Sequence, residues 1–292
     1  MERLQIDESL VRSLLAQCPE LSGESIQLVG HGWDNVIVRV GSTLALRLPY
    51  HPTADELILK EQQWIPVLAP HLPLAVPLPV HCGKPQGSYP YHWTLQRWLP
   101  GVTANVSVPA ADQAGVLVHF LQALHRQPLP SHPPRNRLRD CRLAGKDPAV
   151  QSRLVTLRES GVSVSPAIEA IWRRGLATAI DVPRSLIMGD LHSQNVLVRD
   201  SKLAAVIDWG DLCVGDPATD LASIWCLLPT PASRQVALTE YAATESTIAR
   251  AMAWAAFFGL VFVHRGLAGS AASKVIGHTI LRRLREDDPS TS

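Results

Sequence analysis

Cysteine is sparse in this 292-residue chain: Cys18, Cys82, Cys141, Cys213 and Cys226 are odd in number and scattered, with no Cys-x-x-Cys spacing. That pattern offers neither a disulfide framework nor a zinc site, and fits reduced thiols in a cytoplasmic protein. An excess of one charge is equally lacking. The 27 basic and 26 acidic residues leave a net charge of +1, which gives no reason to expect nucleic acid or a membrane surface as a partner. The longest apolar run, Ala251–Val263, is too short to span a bilayer and reads as a buried helix. The opening MERLQIDESL carries acids and no apolar core, so it does not read as a signal peptide. There is no Gly-x-x-x-x-Gly-Lys-Ser/Thr, no internal repeat and no low-complexity segment. What remains is a soluble protein long enough for one large domain or two lobes.

What is present concentrates between Ser185 and Ala222. Two runs rich in Val, Leu and Ile, Asn195–Val198 and Leu203–Ile207, flank a polar turn at 199–202 and predict a β-hairpin. Asp190 and Asn195 flank the loop before the first run, and Asp208 follows the second at once. An Asp-Leu-x-x-x-Asn, then a hydrophobic hairpin, then Asp-aromatic-Gly is the order a kinase-type phosphoryl-transfer site requires. The chemistry accounts for the residue types. A substrate hydroxyl must be oriented and must lose its proton, which suits a carboxylate at Asp190. A triphosphate must be neutralised by Mg²⁺, a hard ion that prefers oxygen, and Asn195 and Asp208 offer one neutral and one charged oxygen. Taken singly, each of these residues reads equally well as a turn or strand terminator; their order and short spacing carry the inference.

In these residues the chain resembles the aminoglycoside phosphotransferase family of small-molecule kinases. The matching segments are Met188-Gly189-Asp190-Leu191-His192-Ser193-Gln194-Asn195, Ile207-Asp208-Trp209, and Gly215-Asp216-Pro217-Ala218-Thr219-Asp220-Leu221-Ala222. The departure is Met188, where the family has His in a position suited to bracing the loop. The resemblance covers about residues 25–265 and implies an α+β, protein-kinase-like bilobal fold. Residues 1–98 would form a small antiparallel-sheet lobe that binds nucleotide, and 99–292 a larger helical lobe with the catalytic and metal loops. It implies a donor nucleotide, ATP or GTP, Mg²⁺ as cofactor, and the hydroxyl of a small molecule as acceptor. A protein kinase fits poorly, because no Asp-Phe-Gly and Ala-Pro-Glu bracket an activation segment.

The N-terminal part predicts a helix over Glu8–Cys18, then strands at Ile26–Gly30, Asn35–Val40 and Thr43–Leu48. The turn after the first strand, Gly30-His31-Gly32-Trp33-Asp34-Asn35, takes the place of a nucleotide-covering loop, although it is glycine-poor and reads equally as a plain turn. By the resemblance, Arg47 stands where a kinase has its phosphate-contacting Lys. Its expected carboxylate partner is Glu61 on a helix over Ala54–Leu68, with Glu56 as competitor. Leu74–Cys82 and His92–Trp98 complete five strands and end at the hinge implied by the resemblance, so Gln96 and Trp98 are nucleotide-site candidates. Trp98 reads as packed core or as a purine stack.

Beyond Pro109 the periodicity predicts helices at Ala110–His125, Pro166–Ile180, Leu221–Leu228, Ser233–Ala242, about Thr247–His264 and Ser273–Arg285, with a frayed tail from Glu286. The basic, proline-rich stretch 126–148 reads as a solvated loop or as a lid. Asp216 reads as a loop-bracing helix cap, and Asp211 as an aid to the metal or a solvated acid. Residues 251–285 contain no acid but hold Trp254, Phe257, Phe258, Phe262, His264, Arg265 and Lys274. If they line the acceptor pocket, that pocket is apolar to basic and suits a neutral or anionic alcohol better than a polycation; the aromatic stripe also reads as core. The alternative to a kinase is a nucleotide-binding module without transfer activity. Met188, Arg47 and the glycine-poor turn favour it, and the retention of Asp190, Asn195 and Asp208 opposes it.

Overall fold

The computed structural model describes residues 6–136 and 142–288. The chain divides into two compact units: Met1–Pro100 with Val206–Gly210, and Gly101–Ala205 with Asp211–Ser292.

The first unit begins with α1 (Glu8–Leu15), started by Asp7, whose carboxylate accepts the Leu10 N–H at 2.8 Å. A five-stranded antiparallel sheet follows, β1 (Ile26–His31), β2 (Asn35–Val40), β3 (Leu44–Pro49), β4 (Pro79–Gly83) and β5 (Trp93–Arg97), in the order β1-β2-β3-β5-β4. Between β3 and β4 lies α2 (Pro52–Leu68), with Pro52 at its first turn and the His51 ring accepting the Ala54 N–H. Strand alternation divides β3 between the two faces. Leu46 and Leu48 join Val36, Val38, Val40, Trp93 and Leu95 in a core closed by Val11, Leu14 and Leu15 of α1. Ala45 and Arg47 point the other way, and so do their register partners Gln96 and Thr94. On that face Gln62 of α2 donates to Thr94 Oγ1.

The predicted strand Leu74–Cys82 is shorter than expected. Leu74 and Val76 are buried and the Ala75 carbonyl accepts the Val206 N–H, but pairing with β5 starts only at Pro79. Pro73, Pro77 and Pro79 carry no N–H to donate to a ladder, which keeps this segment out of the sheet until its end.

The second unit is mainly helical: α3 (Ala114–His125), α4 (Asp147–Glu159), α5 (Pro166–Ala177), α6 (Ala218–Leu221), α7 (Ser223–Leu227), α8 (Pro231–Tyr241), α9 (Glu245–Leu267) and α10 (Ala271–Glu286). Short strands β6 (Val102–Thr103), β7 (Ser185–Ile187), β8 (Val196–Arg199), β9 (Lys202–Val206) and β10 (Cys213–Gly215) hold the loops of interest. The predicted hairpin is β8–β9, turned by Asp200 and Ser201, both at positive φ as a two-residue primed turn demands. Helix α9 is the hub, packed by α4, α5, α6 and α10. Gly277 explains the close α9–α10 approach: a Cβ there would fall 2.5 Å from the Val263 nitrogen.

Three expectations are corrected. Helix α9 is longer than the apolar run suggested, 23 residues and apolar enough to cross a membrane by length and composition, yet 78% of its apolar window is buried inside the protein. Helix α4 is absent from the sequence reading. It buries only Val150, Leu154 and Leu157 among charged and polar neighbours. The frayed tail is, through Asp288, tied down. Arg234, fully buried, binds Glu286 and Asp287; Trp225 donates to Asp287, and Arg174 pairs with the buried Asp288. The rest of the tail, 289–292, lies outside the described residues.

Candidate functional site

Three of the sequence-chosen residues meet in the first unit. On α2 the buried positions Ala54, Ile58, Glu61, Ile65 and Leu68 recur at helical spacing, so Glu61 is a carboxylate set within the apolar stripe. It faces Arg47, which is buried on β3. One guanidinium nitrogen of Arg47 donates to Glu61, and the other donates to Asp208 Oδ1 at 3.1 Å. Glu56 is exposed, so the choice between the two glutamates is settled for Glu61. Burial pushes the Glu61 carboxyl up to about 7, with the Asp208 charge adding and Arg47 opposing. Burial works against the charge on Arg47, but the Glu61 and Asp208 carboxylates hold its pKa above the ordinary value.

The segment carrying Asp208 is anchored to α2. Lys60 Nζ donates to the Gly210 carbonyl at 2.7 Å, and a Cβ at Gly210 would lie 2.9 Å from that of Leu57. Trp209 is fully buried and its indole donates to the Val206 carbonyl. Asp208 itself sits at φ 64°, in the left-handed region, with its side chain about half exposed (51%). A non-glycine residue held there stores strain, a common mark of functional positions. The turn Gly32-Trp33-Asp34 belongs to the same neighbourhood. Tyr50 OH donates to the Gly32 and Trp33 carbonyls, and the His51 ring meets Asp34 at 3.0 Å. Burial, and then the charge of Asp208, raises the Asp34 pKa.

The second unit carries its own sequence-chosen residues, on the loop between β7 and β8. Asn195 Nδ2 donates to the Asp190 carbonyl at 2.9 Å and to Asp190 Oδ2 at 3.2 Å. This loop is held from beneath by a residue the sequence reading passed over. Asp220 is wholly buried and accepts the Met188 N–H on one oxygen and the Gly189 N–H on the other, each at 2.8 Å. His125 Nε2 also meets Asp220, at 3.2 Å. Gly189 has φ 82°, the backbone reversal that presents Asp190. Bracing therefore acts on the backbone at Met188, whose side chain is simply buried. Asp216 caps the Ala218 N–H as expected, and also binds Arg250. A second passed-over residue is His192, with Nε2 3.3 Å from Asp190 Oδ2.

Other expectations fare differently. Gln96 is buried with its Oε1 unpartnered. Trp98 is half-buried, with the Arg39 guanidinium 4.8 Å from its ring centroid and its backbone N–H on the Thr43 carbonyl. Trp254, Phe257, Phe258 and Phe262 are each at most 6% exposed, so the aromatic stripe is packed as core. Near Asp190 that stripe leaves Arg265, whose pKa burial lowers and the charge of Asp190 raises. Asp211 accepts from Asn136. The basic stretch is not wholly a solvated loop: Leu143 and Lys146 are buried, and Lys146 Nζ lies over the Phe257 ring. Residues 137–141 lie outside the described set.

Each unit offers one oxygen donor of the kind magnesium takes. Asn195 commits its amide nitrogen to Asp190, which leaves its carbonyl oxygen as the donor, and Asp208 presents a half-exposed carboxylate. Among the described residues no three His, Cys, Asp or Glu gather into a cation cage. Magnesium shared with phosphates needs only one or two protein oxygens and keeps its waters.

No curated protein matches the chain. Solved structures do. The GDP and kanamycin complex of APH(2")-IIIa superposes with a TM-score of 0.71 at 17% identity, covering 97% of this chain and 100% of that one. The ADP-bound aminoglycoside phosphotransferase APH(2'')-Ib gives 0.62 at 15% identity, over 96% and 99%. Macrolide 2'-phosphotransferase MphH from Brachybacterium faecium gives 0.58 at 24% identity, over 93% and 97%. These likenesses establish the α+β kinase-like fold. The family model described as the phosphotransferase enzyme family (APH) matches residues 25–258, and with the sheet, the helical unit and both loops in place the chain belongs to that family.

Proposed function

We propose that the protein transfers the γ-phosphate of a purine nucleoside triphosphate to the hydroxyl of a small molecule, with Asp190 as the general base. The observation that carries this reading is the pair of held carboxylates: Asp208 on the Arg47–Glu61 pair, and Asp190 on Asn195. Asp190 takes the acceptor proton as the oxygen attacks phosphorus, while Asn195 fixes the direction of the carboxylate. Arg47, oriented by Glu61, places a delocalised positive charge for the nucleotide phosphates. Asn195 and Asp208 would supply the oxygen ligands for Mg²⁺, which when bound would supply charge neutralisation to the phosphates. By the resemblance, the base would lie against the strand end at Gln96 to Trp98, where the Trp98 N–H is already held by the Thr43 carbonyl. Neighbours carry GDP and ADP, so both purines are candidates.

The acceptor in this reading is a neutral or anionic alcohol. With the aromatic stripe in the core, support for that choice narrows to Arg265, a cation within electrostatic reach of Asp190. The neighbours named for kanamycin and macrolides keep both a polycation and a neutral lactone in the test panel. The experiment is phosphate transfer from Mg-ATP and Mg-GTP to aminoglycosides, macrolides, amino alcohols, sugars and nucleosides, with Asp190→Asn as control. Transfer that the variant loses by about 10²–10⁴-fold supports the reading. Failure to bind either nucleotide sinks it, and an aminoglycoside acceptor overturns the choice of alcohol.

A further inference from the structure

We propose that His51 is a positioning residue for the turn Gly32-Trp33-Asp34: its Nε2–H holds the Asp34 carboxylate and so fixes the turn that covers the phosphate end of the nucleotide site. This rests on the reading of Arg47 and Asp208 as that phosphate end.

Two hydrogen bonds on one ring define its state. The Ala54 N–H points at His51 Nδ1, at 3.2 Å, and at the His51 carbonyl, at 3.1 Å. A ring nitrogen that accepts carries no proton, so the neutral ring has its hydrogen on Nε2. Nε2 is hydrogen-bonded to Asp34 Oδ1 at 3.0 Å, and in this tautomer it is the donor. One side chain therefore caps α2 and also holds a carboxylate 17 residues earlier in the chain.

The ring is set on a fixed frame. Asp55, in the same first turn of α2, accepts the His92 N–H at 2.6 Å, which ties this end of the helix to the start of β5. Further along, Lys60 holds the Gly210 carbonyl and Glu61 holds Arg47. A single helix thus carries the turn, the Asp208 segment and the Arg47 guanidinium in a set relation. Tyr50 adds to the hold on the turn. Its hydroxyl donates to the Gly32 carbonyl at 3.0 Å and to the Trp33 carbonyl, and its ring meets that of His51 edge-on.

The turn has need of such a hold. Trp33 at its tip is 62% exposed, so burial contributes little to its place. Burial, then the charge of Asp208, raises the Asp34 pKa, while His51 and Arg47 lower it. Asp34 therefore stands within electrostatic reach of both residues read as the phosphate end. A carboxylate left to swing there repels a triphosphate, and the bond to Nε2–H directs it to α2 instead.

Two substitutions separate this clasp from the helix cap. In His51→Asn the amide oxygen falls near Nδ1 and keeps the Ala54 N–H, but nothing reaches Asp34. In His51→Gln the amide nitrogen falls near Nε2 and keeps the donor to Asp34, while the cap is lost. Calorimetric titration should show the Asn variant binding Mg-ATP or Mg-GTP, whichever wild type takes, about tenfold more weakly, the scale of one hydrogen bond to a charged group. The Gln variant should stay within a fewfold of wild type. Without nucleotide, the Gly32 amide, which donates to the Asn35 carbonyl at 2.7 Å, should exchange its hydrogen faster in the Asn variant alone. A ring that only caps α2 predicts the reverse: the Gln variant binds more weakly, and exchange rises in the first turn of the helix.

Three results overturn the proposal: an Asn variant with wild-type affinity, a Gln variant no better than Asn, or unchanged exchange at Gly32 in the Asn variant. If wild type binds nucleotide and the Asn variant matches it, His51 alone is removed. Wild-type protein that binds neither nucleotide overturns the reading of the site and this proposal together.

Discussion

Gly189 and Asp220, 31 residues apart, are joined by a 2.8 Å hydrogen bond from the Gly189 backbone N–H to Asp220 Oδ1. The second oxygen of Asp220 takes the Met188 N–H, so one side chain satisfies two consecutive buried donors. Asp220→Asn leaves a single acceptor and turns an amide N–H toward one of them. A buried donor without a partner costs about 1–3 kcal/mol, more when the lost partner was charged. We expect a loss of about 3 kcal/mol in urea unfolding, and a fall in kcat larger than any change in nucleotide affinity. A variant as stable as wild type would show that the loop does not depend on this carboxylate.

Arg47 reaches Glu61 and Asp208 through different guanidinium nitrogens. A lysine cannot reproduce that fork, because its ammonium is one point charge. Arg47→Lys should weaken Mg-nucleotide binding about tenfold, the scale of one charge-assisted hydrogen bond. Arg47→Met strands Glu61 as a buried carboxylate and should cost about 3–5 kcal/mol in stability. Adding Glu61→Gln to Arg47→Met should restore much of that loss. Calorimetric titration with nucleotide and a double-mutant unfolding cycle read these separately; additive losses in the cycle would refute the coupling.

The first-unit cluster was legible because its members stand in a fixed order along the chain, each beside a recognisable strand or helix. Glu61 could be preferred over Glu56 only on resemblance; burial then decided it, since Glu61 shares the stripe of Ile58 and Ile65. Asp220 stood in the motif yet was not assigned. Its hydrogen bonds reach back 31 and 32 residues to the Gly189 and Met188 N–H groups, and spacing carries no information about them. The reading of the aromatic residues as core or pocket stayed open in the sequence for a related reason. Composition places Trp254 and the phenylalanines on a helix, but which neighbours cover that helix is a tertiary fact. Likewise the acids near the end, Asp287 and Asp288, look like a solvated tail until Arg234 and Arg174 are seen to meet them.

The thiols should divide sharply by position. Cys82 is exposed, whereas Cys18, Cys213 and Cys226 are buried. Burial pushes the Cys226 thiol up to about 12, so almost no thiolate forms at pH 8. Alkylation of the native protein at pH 8, followed by mass spectrometry, should therefore modify Cys82 well before these three, which should react together once the protein unfolds. Early labelling of Cys226 would mean that the helical unit opens far more readily than its packing implies.

Glu61 also makes a prediction about pH. Its carboxyl is pushed up to about 7 in the folded protein, against 4.5 for an ordinary glutamate. Between those values the folded state binds more protons than the unfolded state, so stability falls as pH rises through the window. The contribution is complete below the unfolded value and is lost once pH passes the folded one. At 1.36 kcal/mol per unit the span corresponds to about 3 kcal/mol. Glu61→Gln keeps a hydrogen-bonding amide next to Arg47 and removes the titration. Urea unfolding at pH 5 and pH 8 should show wild type losing up to about 3 kcal/mol relative to this variant. The subtraction cancels every other titrating group, because those are common to both proteins. Parallel pH profiles for the two would mean that Arg47 keeps Glu61 ionised throughout, and that the ion pair outweighs burial at this site.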